Sequence, residues 1–295
     1  MTYTQTRADA AVKVAVALGI QCGDPVVLAD GANVVVHLSP APVVAKVAAS
    51  TTEVRSAATW LQRELDVVQF LAGRGAPVIP PSPEVPATVH HGDGQVMSFW
   101  QYMSPSDGGL ASEDVIGSML RDLHGELAGY PGHPAQLRDP VEPASSAQLP
   151  VLAPLQDIPS YLARPRTSLT PSEAAALAAA HARLTAELGE FPARPLHGDA
   201  GAGNLMATGS GWVWHDFEDT CSGPLAWDVA ASTASQRLDA RRVLAAYGDP
   251  VDPATLAACE QLRRLHLTVW YNLYAERLPE LRPRAAELLA RWPPP

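Results

Sequence analysis

Three oxygen-bearing side chains stand at spacings that suit phosphoryl transfer. Asp199 and Asn204 lie five positions apart, and Asp216 follows them after two short strand-like segments joined by the turn TGSG. Transfer of a phosphoryl group from ATP needs one carboxylate that orients the attacking hydroxyl and accepts its proton, and oxygen ligands that hold Mg²⁺ on the phosphates. We therefore predict that Asp199 is the catalytic base and that Asn204 and Asp216 bind magnesium.

The residues around these positions resemble a known family. The chain reads HGDAGAGN at 197–204, DFED at 216–219 and GPLAWD at 223–228. These motifs resemble those of the aminoglycoside phosphotransferase and choline kinase family, in which H-G-D-x-x-x-x-N precedes D-F-E-D and G-P-x-x-W-D. The resemblance implies a two-lobed, protein-kinase-like α+β fold, with an N-terminal antiparallel sheet plus helix and a mainly helical C-terminal lobe. It also implies an ATP-dependent enzyme that phosphorylates a hydroxyl of a small molecule, and a structural role for Asp228 as a partner of the loop backbone.

Two further residues complete the predicted nucleotide site. The chain has only two lysines, and one of them, Lys46, lies in the apolar strand-like segment 43–48. An ammonium buried among valines is costly unless it is paired, so Lys46 is predicted to hold the phosphates of ATP. A kinase-like fold also needs a glutamate on the following helix to orient that lysine. Glu64 is the best-placed candidate, and Glu53 and Asp66 are the competitors.

Hydrophobic periodicity predicts the elements that position these residues. Strand-like segments occur at 25–28, 33–38, 43–48, 87–90 and 95–100, and helical spacing occurs at 8–18, 55–71, 112–127, 170–188 and over most of 227–291. Residues 1–102 are predicted to form an ATP-binding lobe, and residues 103–295 a catalytic and acceptor-binding lobe. Residues 130–166 are studded with prolines and are predicted to be irregular.

Composition excludes several classes of protein. The formal net charge of −10 and the pI near 5.3 argue against a nucleic-acid partner, because such proteins usually carry a basic face. The three cysteines lie at no metal-binding spacing, which argues against a zinc site or a disulfide framework and favours a reducing compartment. No segment has the roughly 20 apolar residues of a membrane helix, and residues 1–10 are polar, so we predict a cytoplasmic protein without a membrane partner.

The acceptor is predicted only by class. An acidic chain suits a cationic acceptor such as an aminoglycoside, an amino sugar or an amino alcohol. Trp270 and Tyr274 share a helical face and are candidate acceptor contacts, although an aromatic stripe at this spacing is more often core. Two other functions stay open: a catalytically silent, kinase-like nucleotide-binding regulatory protein, and a metal-dependent hydrolase that uses His197, Asp199 and His215.

Overall fold

The computed structural model describes residues 2–131 and 149–293, which divide between two units. The first unit contains the described residues up to Ala111 together with Asn204–Glu218. The second contains the described residues from Ser112 to Gly203 and from Asp219 onward. The hairpin before Asp216 therefore belongs to the same unit as the N-terminal sheet, although it comes late in the sequence. Residues 132–148, within the segment predicted to be irregular, lie outside the described residues.

The first unit is built on a five-stranded sheet. Its strands are β1 (Val26–Asp30), β2 (Asn33–His37), β3 (Val43–Ala48), β4 (His90–Gly92) and β5 (Gln95–Gln101). They lie in the order β1-β2-β3-β5-β4, and all neighbouring strands are antiparallel. Lys46 lies on the central strand β3, in register with Val35 of β2 and Ser98 of β5. The predicted antiparallel sheet is confirmed, and it places the lysine deep in the unit.

Two helices pack in the first unit, α1 (Tyr3–Ala17) and α2 (Ala57–Gly73). Helix α1 begins earlier than the apolar pattern predicted, because the side chain of Thr2 caps it by accepting a hydrogen bond from the backbone of Gln5. Helix α2 buries the predicted apolar stripe, and Glu64 lies on that same face at 2% exposure. A carboxylate at this position needs a partner, since burial of an unpaired charge is strongly unfavourable.

The late hairpin of the first unit consists of β7 (Leu205–Thr208) and β8 (Gly211–Trp214), which pair antiparallel. This hairpin is hydrogen-bonded to the segment that follows α2. The backbone N–H of Trp214 donates to the carbonyl of Pro77 at 2.8 Å, and the N–H of Ile79 donates to the carbonyl of Trp214 at 3.1 Å. These bonds hold the residues that follow β8, including Asp216, in the unit that contains Lys46.

The second unit is mainly helical in its described part. Its elements are α3 (Glu113–Leu127), α4 (Asp157–Leu162), α5 (Pro171–Leu188), β6 (Arg194–Leu196), β9 (Cys221–Gly223), α6 (Ala226–Ser232), α7 (Ala240–Tyr247), α8 (Pro253–Arg277) and α9 (Arg282–Leu289). A reciprocal capping box of Thr170 and Glu173 opens α5, in the segment 170–188 that was predicted to be helical. Strands β6 and β9, which pair antiparallel, were not predicted, because three residues are too few to show alternation. None of the helices in the described ranges has both the length and the apolar character needed to cross a membrane.

Candidate active site

Lys46 lies among carboxylates in the first unit. Its Nζ is 2.9 Å from each carboxylate oxygen of Glu64 and 2.6 Å from Oδ1 of Asp216. Oε2 of Glu218 is 3.2 Å away. The lysine is 7% exposed, so these ion pairs offset the cost of removing its charge from water. Of the candidate partners, Glu64 makes the contact, whereas Asp66 accepts a hydrogen bond from a neighbouring glutamine on α2.

The cluster shifts the protonation of both members of the central pair. Burial by itself would lower the pKa of Lys46, but the carboxylates of Asp216, Glu64 and Glu218 outweigh it and hold that pKa well above its ordinary value. Burial raises the pKa of Glu64 to about 8; Asp216 and Glu218 add to this effect and the attraction of Lys46 opposes it. Lys46 therefore stays an ammonium, and its attraction opposes the protonation of Glu64 that burial favours.

This pKa shift predicts a pH-dependent stability. Between the ordinary pKa of 4.5 and the raised value of about 8, Glu64 binds more protons in the folded than in the unfolded chain. The free energy of unfolding should therefore fall as the pH rises through this window. We expect Glu64→Gln to lose that pH dependence, because the amide does not titrate. Denaturant unfolding of the wild type and the variant at several pH values measures how steeply the free energy of unfolding depends on pH.

The exposed Glu190→Gln is the control, and its free energy of unfolding should depend on pH as that of the wild type does. Equal pH dependence in all three proteins would contradict the prediction.

Glu218 connects three parts of the first unit. It is 6% exposed and accepts hydrogen bonds from Nδ2 of Asn33, at the start of β2, and from Nη1 of Arg55, before α2, the latter at 3.3 Å. The guanidinium of Arg55 lies 3.6 Å above the ring of Trp60. This role of Glu218 was not predicted from the sequence. Its only signal was a second acidic residue, two positions after Asp216, in a segment that the structure buries.

Asp216 has the backbone conformation of a constrained site residue. Its φ is +63°, in the left-handed region that non-glycine residues rarely adopt, while its side chain is 46% exposed. The N–H of the preceding His215 donates to the carbonyl of Asn204 at 3.0 Å, which keeps Asn204 at the base of the same hairpin. An exposed carboxylate and an amide oxygen from one hairpin are donors that suit Mg²⁺. The residues present therefore fit the predicted metal.

The loop that carries Asp199 begins with a glycine that no other residue can replace without a clash. Gly198 has φ of +89°, and a Cβ at this position would lie 1.8 Å from the carbonyl oxygen of Asp219. The loop follows directly after β6, and the chain turns sharply at Gly198. The next residue, Asp199, has a side chain that is 45% exposed. Steric exclusion explains the glycine in the HGD motif.

Helix α6 holds the backbone of this loop. The buried carboxylate of Asp228 accepts hydrogen bonds from the N–H of His197 at 2.8 Å and from the N–H of Gly198 at 2.9 Å. Nε1 of Trp227 donates to the carbonyl of Gly198 at 2.7 Å, and the hydroxyl of Ser232 donates to the carbonyl of Ala200 at 2.5 Å. The predicted contact of Asp228 with the loop backbone is confirmed.

His197 has a local structural contact in this loop. Its side chain is fully buried, and its Nδ1 accepts the backbone N–H of Asp199 at 3.2 Å. Within the two described ranges, no group of three or more His, Cys, Asp or Glu side chains is arranged to hold a metal ion. The geometry thus supports a bracing function for His197.

The side chain of Asp199 has a basic partner on α8. Nη2 of Arg263 forms an ion pair with Oδ1 of Asp199, and Nη1 of the same arginine donates to the carbonyl of Gly198 at 2.9 Å. Arg263 was not predicted as a site residue. Nothing in the local pattern of α8 distinguishes it from Arg264, which pairs with the half-buried Glu260 at 3.2 Å.

The two candidate acceptor residues lie side by side on α8, with ring centroids 5.3 Å apart. Trp270 is 7% exposed, and its Nε1 donates to Oδ2 of Asp157 at 3.2 Å. His266, one turn earlier, lies 2.9 Å from the same carboxylate oxygen. Tyr274 is half-buried. Burial of Trp270 in a polar cluster supports the core alternative, and contact of this pair with an acceptor stays a prediction.

Truncation of Trp270 separates the two alternatives. If Trp270 is core, Trp270→Ala should cost about 3–5 kcal/mol of stability, the range for a deleted buried aromatic, because it leaves a cavity and removes a partner of Asp157. Thermal melting measures this loss, with the half-buried Tyr271→Ala as a control that should lose much less. Unchanged melting together with a raised acceptor KM would instead assign Trp270 to the acceptor site.

Solved structures share this architecture. An amicoumacin kinase in complex with AMP-PNP, Ca²⁺ and its ligand is 14% identical, with a TM-score of 0.68 and coverage of 98% of this chain and 96% of that one. The GDP complex of an aminoglycoside 2'-phosphotransferase is 17% identical, with a TM-score of 0.63 and coverage of 97% and 98%. A choline kinase from Streptococcus pneumoniae is 16% identical, with a TM-score of 0.60 and coverage of 97% and 99%. The predicted protein-kinase-like α+β fold is confirmed.

A family model shows the relationship at the level of sequence. No curated protein sequence matches the chain. The model described as the phosphotransferase enzyme family, however, matches residues 28–266, most of the chain. This span contains every predicted nucleotide, metal and catalytic position from Lys46 to Asp216. The agreement of motifs, fold and matched span shows that the chain belongs to the phosphotransferase enzyme family.

Proposed function

We propose that this protein transfers the γ-phosphoryl group of ATP, with Mg²⁺, to a hydroxyl of a small molecule. The observation that carries the proposal is the Lys46 ammonium, buried in the first unit and within 2.9 Å of both Glu64 and Asp216. A lysine held by one buried and one exposed carboxylate is poised to bind phosphate oxygens when the exposed carboxylate turns to a metal. A solubility lysine would lie at the surface, as Lys13 does with its side chain 69% exposed.

Each site residue has one task in this reaction. Lys46 binds phosphate oxygens of the nucleotide, and Glu64 keeps the ammonium in place. Asn204 and Asp216 hold magnesium, which when bound offsets negative charge on the phosphates. Asp199 accepts the hydrogen bond of the acceptor hydroxyl and takes its proton as the phosphoryl group is transferred.

Short connections after Asp216 favour a small acceptor. Only Phe217–Leu225 separate Asp216 from α6, which begins at Ala226. That span holds no long segment of the kind that protein kinases use to position a peptide. The solved structures of similar fold include a choline kinase, an aminopropanol kinase and an aminoglycoside phosphotransferase. We therefore propose an acceptor with both amino and hydroxyl groups, namely an aminoglycoside, an amino sugar or an amino alcohol.

A coupled assay that detects released ADP or GDP, over a panel of hydroxylated amines, tests this proposal. The panel should contain aminoglycosides, amino sugars and amino alcohols, each with ATP and with GTP, since the similar structures carry AMP-PNP in one case and GDP in another. Lys46→Met defines the background, and Lys13→Met is the matched control, because its exposed pair with Asp93 lies outside the cluster. Acceptor-dependent turnover by the wild type and Lys13→Met, but not by Lys46→Met, supports the proposal. Tight nucleotide binding with negligible turnover on every acceptor would favour the silent regulatory alternative.

A further inference from the structure

Arg263 joins a long helix to the loop that carries Asp199. Its two terminal nitrogens reach different groups of the second unit: Nη2 contacts Oδ1 of Asp199, and Nη1 donates to the carbonyl of Gly198 at 2.9 Å. The arginine side chain is 18% exposed, while that of Asp199 is 45% exposed. The shielded member of this pair is therefore the arginine, and the accessible member is the carboxylate.

The guanidinium is itself held in place. Its Cζ lies 5.0 Å from the centroid of the Trp227 ring. Nε1 of Trp227 donates to the same Gly198 carbonyl that receives Nη1 of Arg263. A planar guanidinium carries its donors in a rigid fork, so two of its nitrogens can bind a carbonyl and a carboxylate at a fixed spacing that the freely rotating ammonium of lysine does not impose. The cation–π contact with Trp227 and the shared carbonyl thus restrict the orientation of the donor that faces Asp199.

We propose that Arg263 is a positioning residue that holds the Asp199 carboxylate in the orientation needed to receive the acceptor hydroxyl. This inference rests on the proposed function. Arg263 engages Oδ1, and an ionised carboxylate has lone pairs on both oxygens, so Asp199 can accept a hydroxyl hydrogen bond while the ion pair persists. Misplacement of a reacting group by about 1 Å is enough to cost roughly a hundredfold in rate.

Residues other than Arg263 also hold the backbone of the loop. The effect of Arg263 on the Asp199 side chain can therefore be distinguished from a purely structural effect on the loop. Asp228, Trp227 and Ser232 of α6 already bind the backbone of the loop. Loss of Arg263 should therefore leave the path of the loop intact and release the Asp199 side chain. A residue needed only for folding would lower stability and rate together, whereas a positioning residue lowers the rate in a folded protein.

The primary experiment compares Arg263→Gln and Arg263→Lys with Arg264→Gln. Arg264 is the matched control because it neighbours Arg263 on α8 but makes an exposed i, i+4 pair with Glu260. The probe is ADP release from Mg²⁺-ATP, measured with the acceptor panel and with water as the acceptor. We expect kcat to fall about 10- to 100-fold for Arg263→Gln, less for Arg263→Lys, and less than about twofold for Arg264→Gln, with nucleotide Kd unchanged.

Two further measurements test whether Arg263 acts through Asp199. Adding Arg263→Gln to Asp199→Asn should cause little additional loss of rate, because the group to be positioned is already disabled. Millimolar methylguanidinium should restore part of the activity of Arg263→Ala, and should leave the activity of Asp199→Asn unchanged. A buttressing role predicts neither result.

The outcomes distinguish this inference from the proposed function. If the wild type releases no ADP with any acceptor or with water, the proposed function fails. If the wild type is active but Arg263→Gln matches Arg264→Gln, the positioning role is wrong. Additive losses in the double variant, absence of methylguanidinium rescue, or a fall in melting temperature that accounts for the lost rate would also overturn it.

Discussion

Asp216→Ala is expected to abolish productive use of Mg²⁺-ATP. Asp216 has a left-handed backbone, an exposed carboxylate and a contact of 2.6 Å with Lys46, so the substitution removes a metal ligand and one of the partners of the ammonium. Glu64 and Glu218 still surround Lys46 and should keep it buried and charged. The loss should therefore fall on metal-dependent turnover rather than on folding.

A magnesium titration of turnover measures this effect, and Asp219→Ala is the matched control. Asp219 lies three residues later in the same motif, and alanine at this position keeps the backbone carbonyl that lies close to Gly198. We expect activity of Asp216→Ala to stay at background at every magnesium concentration, and Asp219→Ala to retain most of the wild-type activity. Equal losses in the two variants would show that the metal ligand has been assigned to the wrong carboxylate or that both acids bind metal.

Asp199→Asn is expected to lower phosphoryl transfer by at least about a hundredfold, the lower end of the range for a positioned general base. The amide keeps the shape of the side chain and a carbonyl oxygen for Arg263, but it cannot take the proton of the acceptor. Nucleotide binding should persist, because Lys46, Glu64 and Asp216 form their cluster in the first unit without Asp199.

Parallel measurements of kcat, nucleotide Kd and melting temperature test this assignment. Asp122→Asn serves as the control, since the Asp122 side chain is 67% exposed and contacts the adjacent Arg121. The expected result is a loss of kcat in Asp199→Asn alone, with similar Kd and melting temperature in both variants. Near-normal turnover by correctly folded Asp199→Asn would show that another group accepts the proton or that orientation by the amide is sufficient.

The contact of Lys46 with Glu64 illustrates how much local pattern can predict. Strand alternation placed Lys46 on one face of an apolar strand with Val44 and Ala48, where an ammonium requires a partner. A kinase-like fold needs a glutamate on the helix after that strand, which made Glu64 the best-placed of three candidates. The structure buries Glu64, whereas Glu53 is exposed and Asp66 is half-buried. The same pattern could not reveal that Asp216 and Glu218 share that ammonium, because they follow a late hairpin that becomes part of the N-terminal unit only in the folded chain.

The family, the α+β kinase-like fold and the motifs around Asp199, Asn204 and Asp216 could be predicted from the amino-acid order, because they depend on short-range spacing. Which charged groups meet depends on long-range packing. Glu218 contacts Asn33 across 185 positions of chain, and Arg263 contacts Asp199 across 64. Arg263 and Arg264 are chemically identical neighbours, and one binds the loop while the other pairs with a half-buried glutamate because α8 turns about 100° per residue. The packing of that helix against α6 selects the side that meets the loop, and no local pattern in the sequence specifies that side.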